Sequence, residues 1–352
     1  MTSPARPSLR DFALALGVAF AAGAACAWLR TPIPWMLGPL FATAALRVTG
    51  SSATAPPGAR EAGQWIIGTA LGLYFTPVVV AQIGDSWWLL AAGATFAIAI
   101  GYVAAALLAK LAGIDLTTAL FACVPGGAAE MSRLGELHGA RPDKVAAGQS
   151  LRILVVVALV PAAFTLYGAH GSDAYQMGTR HFDAAGFALL LLATGAGGAL
   201  MARTPIPNPY VLGALVVSIA LTANEVRLSS LPTAVSNAGQ LLLGCALGSR
   251  FQRDFLEGAP RFVASVVATS LVTIVLSALF AFALASVSGL PVPTLVLGLA
   301  PGGMPEMAIT AKVLQLGVPL VTSFHVTRLV VLLLLTGPLF RHARGVRRRL
   351  RR

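Results

Sequence analysis

Two short stretches decide how this chain folds: residues 125–131 read Pro-Gly-Gly-Ala-Ala-Glu-Met, and residues 301–307 read Pro-Gly-Gly-Met-Pro-Glu-Met. Both stretches interrupt apolar sequence. Proline removes a backbone hydrogen-bond donor and glycine lowers the cost of non-helical dihedral angles, so each stretch predicts a broken helix. Inside a bilayer the freed backbone groups need protein, water or a ligand as partners. Matching breaks in two halves of a chain therefore indicate a candidate binding site.

The surrounding sequence is that of a membrane protein. Hydrophobic residues make up 57% of the chain and charged residues 11%, so folding in water would leave a large apolar surface exposed. Six apolar runs approach or exceed the roughly 20 residues that span a bilayer. They are residues 12–29, 87–111, 145–167, 184–201, 262–287 and 318–340.

The first half of the chain recurs in the second. Arg-Thr-Pro-Ile-Pro at residues 30–34 returns at 203–207, and Ala-Gly-Gln at 62–64 returns at 238–240. Polar residues in register are not expected between unrelated apolar stretches, so the sequence predicts two membrane repeats. The predicted organisation is a cytoplasmic N-terminus at 1–10, a first repeat at 11–167, a linker at 168–182, a second repeat at 183–340 and a basic cytoplasmic tail at 341–352.

The predicted fold is an all-α polytopic membrane protein with about ten transmembrane helices and two Pro-Gly-Gly elements, broken or re-entrant. Basic residues collect on the cytoplasmic side of a membrane, and five crossings per half place most arginines on the same side as the basic tail. This count favours inverted repeats with both termini in the cytoplasm, and a parallel arrangement remains the alternative. The tail is expected to contact anionic lipid.

A buried arginine accompanies each motif. Arg152 lies ten residues after Pro142 and Arg328 lies nine after Pro319, which at about 1.5 Å per residue carries each roughly 14 Å into its helix. An arginine at that depth needs a partner, and Glu130 and Glu306 are the expected ones. Two structural ion pairs are the alternative to a ligand site.

Other polar and small residues in apolar helices fall into three groups. His325 matches Gln149 of the first half and could titrate near neutral pH. Gln64, Gln240 and Asn208 either line the same cavity or join helices. The glycines four residues apart at positions 68 and 72, and at 244 and 248, are interpreted as helix-packing positions.

The predicted substrate-binding residues are the two motifs with their glutamates and the polar residues of the helices that follow. They are Pro125, Gly126, Gly127, Glu130, Gln149, Arg152, Pro301, Gly302, Gly303, Glu306, His325 and Arg328. No catalytic residue, metal site or cofactor is predicted. The histidines are scattered, and only His170, Asp173, His181 and Asp183 come close together, in a segment that reads as a solvated linker.

The sequence resembles the bacterial AbrB-duplication inner-membrane family in three places. These are the Pro-Ile-Pro-Trp-Met-Leu-Gly-Pro-Leu stretch at residues 32–40, the Ala-Gly-Gln helix and the duplicated Pro-Gly-Gly-x-x-Glu-Met elements. Family members carry labels of ammonia monooxygenase or of regulator of gene expression, and they differ from the small soluble DNA-binding regulators of similar name. The resemblance implies a multi-pass protein of the bacterial inner membrane.

These observations favour a secondary transporter that moves a small solute or ion by alternating access. Coupling to a proton or sodium gradient, or plain exchange, is expected because no ATP-binding motif is visible. The alternative is a membrane sensor or regulator that affects gene expression indirectly, since no DNA-reading module is present. A membrane monooxygenase is less favoured, because the ligands for a metal are not clustered. Direct contact with nucleic acid is not expected, and a homo-oligomer is left open.

Overall fold

The computed structural model describes residues 7–124, 126, 128–169, 171, 181–251, 259–332 and 334, with the backbone alone at 129 and 130. Over these residues it is all-helical and contains no strand, which confirms the predicted fold class. The first half forms eight helices, α1 to α8: Leu9–Trp28, Pro34–Val48, Ala59–Gly72, Pro77–Asp85, Trp87–Ala112, Leu116–Cys123, Ala128–Leu137 and Pro142–Leu166.

The described part of the second half forms seven helices in a matching order. Helices α9 to α15 are Ala184–Met201, Pro209–Ala223, Thr233–Gly248, Pro260–Ser288, Val292–Leu299, Met304–Leu314 and Val318–Leu332. In both halves, a long helix is followed by an eight-residue helix, a break, a short helix and a closing helix. Residues 252–258, between α11 and α12, lie outside the described residues.

Local sequence signals set the ends of these helices. Five helices begin at a proline, whose fixed φ and missing N–H suit the first helical position: α2, α4, α8, α10 and α12. The Asp115 side chain caps α6 by accepting from the Thr118 N–H at 2.8 Å. The long helices α5 and α12 both end at a glycine in the left-handed region, Gly113 with φ 65° and Gly289 with φ 68°.

The first of two bundles, the scaffold bundle, contains α1, α2 and α3 with α9, α10 and α11. Helix α2 packs on α11 and α10 packs on α3, so the pairing is the same when the halves are exchanged. Glycines allow these close approaches, because a methyl group at Gly68 would strike the Val211 carbonyl and one at Gly244 would strike the Met36 carbonyl. The interpretation of these glycines as packing positions is confirmed.

The second bundle, the broken-helix bundle, contains α5 to α8 and α12 to α15. Helices α5 and α12 pack on each other and on α6 and α13 respectively. The largest apolar cluster joins the two bundles, because it contains Met36 and Val211 of the scaffold together with Val156 of α8 and Met307 of α14. The boundary between the bundles is therefore formed mainly by packed apolar side chains.

The chain is a multi-pass membrane protein by the length and composition of its helices. Five helices, α1, α5, α8, α9 and α12, are long and apolar enough to span a bilayer, and the pair α3 and α4, bent by 88°, adds a sixth candidate. Of the predicted run at 318–340, helix α15 covers Val318–Leu332, and residues 333 and 335–340 lie outside the described residues. The number of crossings and the inverted arrangement stay predictions.

Candidate functional site

The two Pro-Gly-Gly motifs do break their helices. Helix α6 ends at Cys123 and Val124 is extended, with φ −62° and ψ 127°. Helix α13 ends at Leu299 and Ala300 is extended in the same way, with φ −55° and ψ 140°. The last carbonyl groups of α6 and α13 thus have no backbone N–H partners within their own helices, and they carry the negative end of the helix dipole.

The closing helix α15 supplies partners for the end of α13. Arg328 donates from Nη1 to the Ala300 carbonyl at 2.8 Å and from Nη2 to the Gly302 carbonyl at 2.7 Å. His325, one turn earlier, places Nε2 3.0 Å from the Leu297 carbonyl. Both side chains are buried. A positive charge therefore caps the negative end of a helix that stops inside the protein.

The closing helix α8 does the same for α6 with a different residue pair. Gln149 donates from Nε2 to the Phe121 carbonyl at 2.8 Å and to the Val124 carbonyl at 2.7 Å. Arg152 donates from Nη1 to the Cys123 carbonyl and from Nη2 to Gln149 Oε1, the latter at 2.7 Å. Sequence analysis predicted that these residues lie at the breaks, and the structure brings them there.

The predicted pairing of arginine with glutamate is wrong for the second half. Arg328 uses backbone carbonyls as its hydrogen-bond partners, and no ion pair within the described residues includes Glu306. The physical reason is that the broken helix already offers partial negative charge at the depth of the arginine. Glu130 lies on α7, and its side chain is outside the described residues, so its pairing with Arg152 stays a prediction.

Glu306 occupies an unusual environment. It is buried in the first turn of α14, and its Oε2 atom has no hydrogen-bond partner among the described residues. The carboxyl lies over the α carbon of Gly303, so closely that a methyl group there would overlap Oε2. The second glycine of the motif is therefore required for this position of Glu306.

A cavity with a volume of about 50 Å³ lies where the breaks meet the scaffold bundle. Space for one water corresponds to about 10–15 Å³ by this measure, so the cavity holds about three to five waters or a small solute. Both halves and both bundles line it: Gly126, Arg152, Ile153, Asn208, Leu212, Gly302, Gly303, Met304, His325, Arg328 and Leu329.

Of the predicted site residues, Gly126, Arg152, Gly302, Gly303, His325 and Arg328 line this central cavity. Gln149 contributes through its bond to Arg152, and Glu306 borders the cavity at Gly303. Pro301 lines a smaller cavity, of about 20 Å³, on the other side of Arg152, together with Thr269, Ser270 and Thr273 of α12. Pro125 and Gly127 lie outside the described residues.

Asn208 completes the polar wall of the cavity, and Arg60 bonds to it. Asn208, in the left-handed region with φ 52°, accepts hydrogen bonds through Oδ1 from Arg60 Nη2 at 2.7 Å and Gln64 Nε2 at 2.9 Å. The charges of Arg60, Arg250 and Arg328 act on Glu306. Sequence analysis did not single out Arg60, although its position four residues before Gln64 already placed both on one helix face.

Gln240, the repeat counterpart of Gln64, is buried on α11 but is not among the residues that line the central cavity.

Metal ligands do not cluster in the part of the chain that the structure describes, where no three His, Cys, Asp or Glu side chains are placed to hold an ion. His181 and Asp183 flank the start of α9, and Asp183 caps that helix by accepting from the Gly186 N–H at 2.5 Å. His170 and Asp173 lie outside the described residues.

Comparison with known proteins shows similarity to one protein family along most of the chain. The family model described as Transition state regulatory protein AbrB matches residues 35–344. A Bacillus subtilis (strain 168) protein named "Uncharacterized protein YhjN" is 25% identical over 296 residues, which cover 79% of this chain and 77% of that protein. "Putative regulator AbrB" of Escherichia coli (strain K12) is 22% identical over 309 residues, which cover 87% of this chain and 88% of that protein.

Proposed function

The chain belongs to the family described as Transition state regulatory protein AbrB, and from this premise we propose that it is a secondary transporter which moves a small solute across the membrane. The solute binds in the central cavity, and the two bundles move relative to each other to open the cavity to either side. One observation carries the proposal: the polar cavity lies at the bundle boundary and is lined by both broken helices.

The composition of the cavity wall supports solute binding. Gly126, Gly302 and Gly303 contribute backbone to the cavity wall, and their missing side chains leave room for Met131, Met307 and Glu306. Arg152 and Arg328 are held in position by carbonyl bonds and by Gln149, which fixes the direction of their remaining donors. Such preorganised polar groups around a small space are typical of ligand sites.

The energy source we propose is an ion gradient, with Glu306 as the coupling group. Its buried Oε2 atom lacks a partner within the described residues, and a proton or a sodium ion would supply one. The proposed location is the bacterial inner membrane, with both termini in the cytoplasm. The transport cycle contains no chemical step, and the solute leaves the protein unchanged.

A membrane sensor that binds a solute without moving it is the second candidate, because the Escherichia coli relative is named as a regulator. Such a protein would influence gene expression indirectly. The observation that separates the two functions is flux, since a sensor needs the cavity to be reached from one side only.

The test uses the full chain in proteoliposomes with an inward proton or sodium gradient, supplied with a defined mixture of small metabolites and inorganic ions. Mass spectrometry of the interior identifies any accumulated compound. We expect accumulation by the native chain and its loss in Glu306→Gln, because an amide neither releases a proton nor offers a charge to sodium. The matched control is Glu136→Gln on the exposed face of α7, which should transport normally. Specific binding without accumulation would overturn the transporter and support the sensor.

A further inference from the structure

We propose that the solute is a small anion with a carboxylate or other oxyanion group. This inference rests on the proposed function, because it names the class of compound that the central cavity takes. It is drawn from the charges, the free donors and the size of the cavity.

The charges around the cavity are unbalanced. Arg152 and Arg328 line it, Arg60 reaches it through Asn208, and Arg250 acts electrostatically on Glu306. Glu306 is the one carboxyl among the described residues that borders the cavity at the breaks. Among the described residues that line the cavity or bond to its wall, three arginines, Arg152, Arg328 and Arg60, face Glu306, and they still outnumber the glutamates when Glu130 is also counted as an anion. The helix carbonyls stabilise Arg152 and Arg328 as dipoles, but they leave the excess of formal charge in place.

Hydrogen-bond donors are also in excess. A guanidinium has five N–H donors, and Arg328 uses two of them, on Ala300 and Gly302. Arg152 has a buried Nε with no partner in the described part of the chain. Planar forked donors match the two oxygens of a carboxylate or phosphoryl group, which a cation or an apolar solute does not offer.

The first turn of α14 adds a third contribution. Gly303 and Met304 bring the positive end of this 11-residue helix to the cavity wall. Glu306 is the only described carboxyl in this first turn, and its Oε2 atom has no hydrogen-bond partner among the described residues. The cavity volume of about 50 Å³ limits the anion to a few non-hydrogen atoms.

The test measures thermal stabilisation of the purified full chain in detergent by inorganic phosphate, sulfate and acetate, with ammonium and glycerol as cationic and neutral probes, at constant ionic strength. A ligand that binds the folded state raises the melting temperature in proportion to its occupancy, so a titration gives an apparent Kd. We expect at least one oxyanion to stabilise the chain, and the response among the three identifies the preferred group. Stabilisation by none of the oxyanions would overturn the proposal, as would equal stabilisation by glycerol or ammonium.

Two variants test whether the binding occurs at this site. Asn208→Asp adds a negative charge to the cavity wall, and aspartate tolerates the left-handed backbone of that position, so oxyanion binding should weaken at least tenfold. Asn224→Asp makes the same change at the exposed opposite end of α10 and should leave Kd unchanged.

Arg60→Gln should weaken binding about threefold to tenfold, and Arg227→Gln, at an exposed arginine paired with Glu225, should not. Equal effects of site and control variants would overturn the assignment. Failure of the anion proposal is distinguishable from failure of transport, because accumulation of a cation or a neutral compound would leave transport intact. Anion binding without accumulation would support the anion proposal and contradict transport.

Discussion

The last carbonyl groups of α6 and of α13 are both capped by side chains of the closing helices, but the two sets of hydrogen bonds differ. At α6, Gln149 bonds two carbonyls and also accepts from Arg152, so the two side chains form one connected network. At α13, His325 and Arg328 bond separate carbonyls, and His325 Nδ1 is buried with no partner among the described residues. Each end therefore keeps one buried nitrogen without a partner among the described residues, Arg152 Nε at α6 and His325 Nδ1 at α13, whereas the two capping side chains of α6 are also bonded to each other.

The largest expected effect separates the two arginines by stability. Arg328→Met leaves two buried carbonyls, of Ala300 and Gly302, without their donors. Arg152→Met leaves the buried Gln149 Oε1 and the part-buried Cys123 carbonyl without theirs, which is the smaller loss. A buried group that loses its partner costs about 1–3 kcal/mol, so we expect a loss of about 3–4 kcal/mol for Arg328→Met and about 1–2 kcal/mol for Arg152→Met. Thermal unfolding in detergent measures both.

Exposed arginines provide the control for this pair. Arg227→Met should change stability by less than about 0.5 kcal/mol, because its guanidinium is on the surface and surface ion pairs contribute little. Equal losses of stability for Arg152→Met and Arg328→Met would contradict the view that the end of α13 depends more on its arginine than the end of α6 does.

A smaller effect is expected from exchanging His325 and Gln149, the equivalent residues that differ between the two halves. His325→Gln installs the residue that the first half already has, and its amide can bond the Leu297 carbonyl, so stability should change by less than about 1 kcal/mol. We propose that His325 exchanges a proton during transport, so uptake in proteoliposomes should lose part of its pH dependence in this variant. The reciprocal Gln149→His should leave the pH profile of uptake unchanged. An unaltered profile in His325→Gln would show that His325 is a structural residue.

Much of the fold could be predicted because it depends on features that repeat along the chain. The breaks follow from proline and glycine, the helices from apolar runs, and the close helix crossings from glycines such as Gly68 and Gly244. Counting residues along each closing helix predicted corresponding positions for Arg152 and Arg328, and both lie beside the breaks, while their depth in the membrane stays a prediction.

The partners of these arginines could not be predicted, because residue counting gives depth and not the direction of a side chain. A free helix end leaves no mark in a list of charged residues, so Glu306 looked like the natural partner of Arg328. Asn208 was predicted to line the cavity or to join helices, but the alignment of the repeats did not show which residue it matches. The motif at residues 32–34 matches 205–207 in sequence, but α2 begins at Pro34 and α10 at Pro209, so Asn208 is the structural equivalent of Ile33. Both residues adopt the left-handed region.

The central claim is that one cavity, shared by the two halves, opens to both sides of the membrane. Ile153 and Leu329 are repeat equivalents that both line it and are both partly buried. Each is replaced by cysteine in a chain whose native cysteines, Cys26, Cys123 and Cys245, are serine, and a membrane-impermeant maleimide is added to one side of oriented vesicles at a time. Leu297→Cys, fully buried, is the unreactive control. We predict that both cavity cysteines react from either side. Labelling from one side only would contradict alternating access.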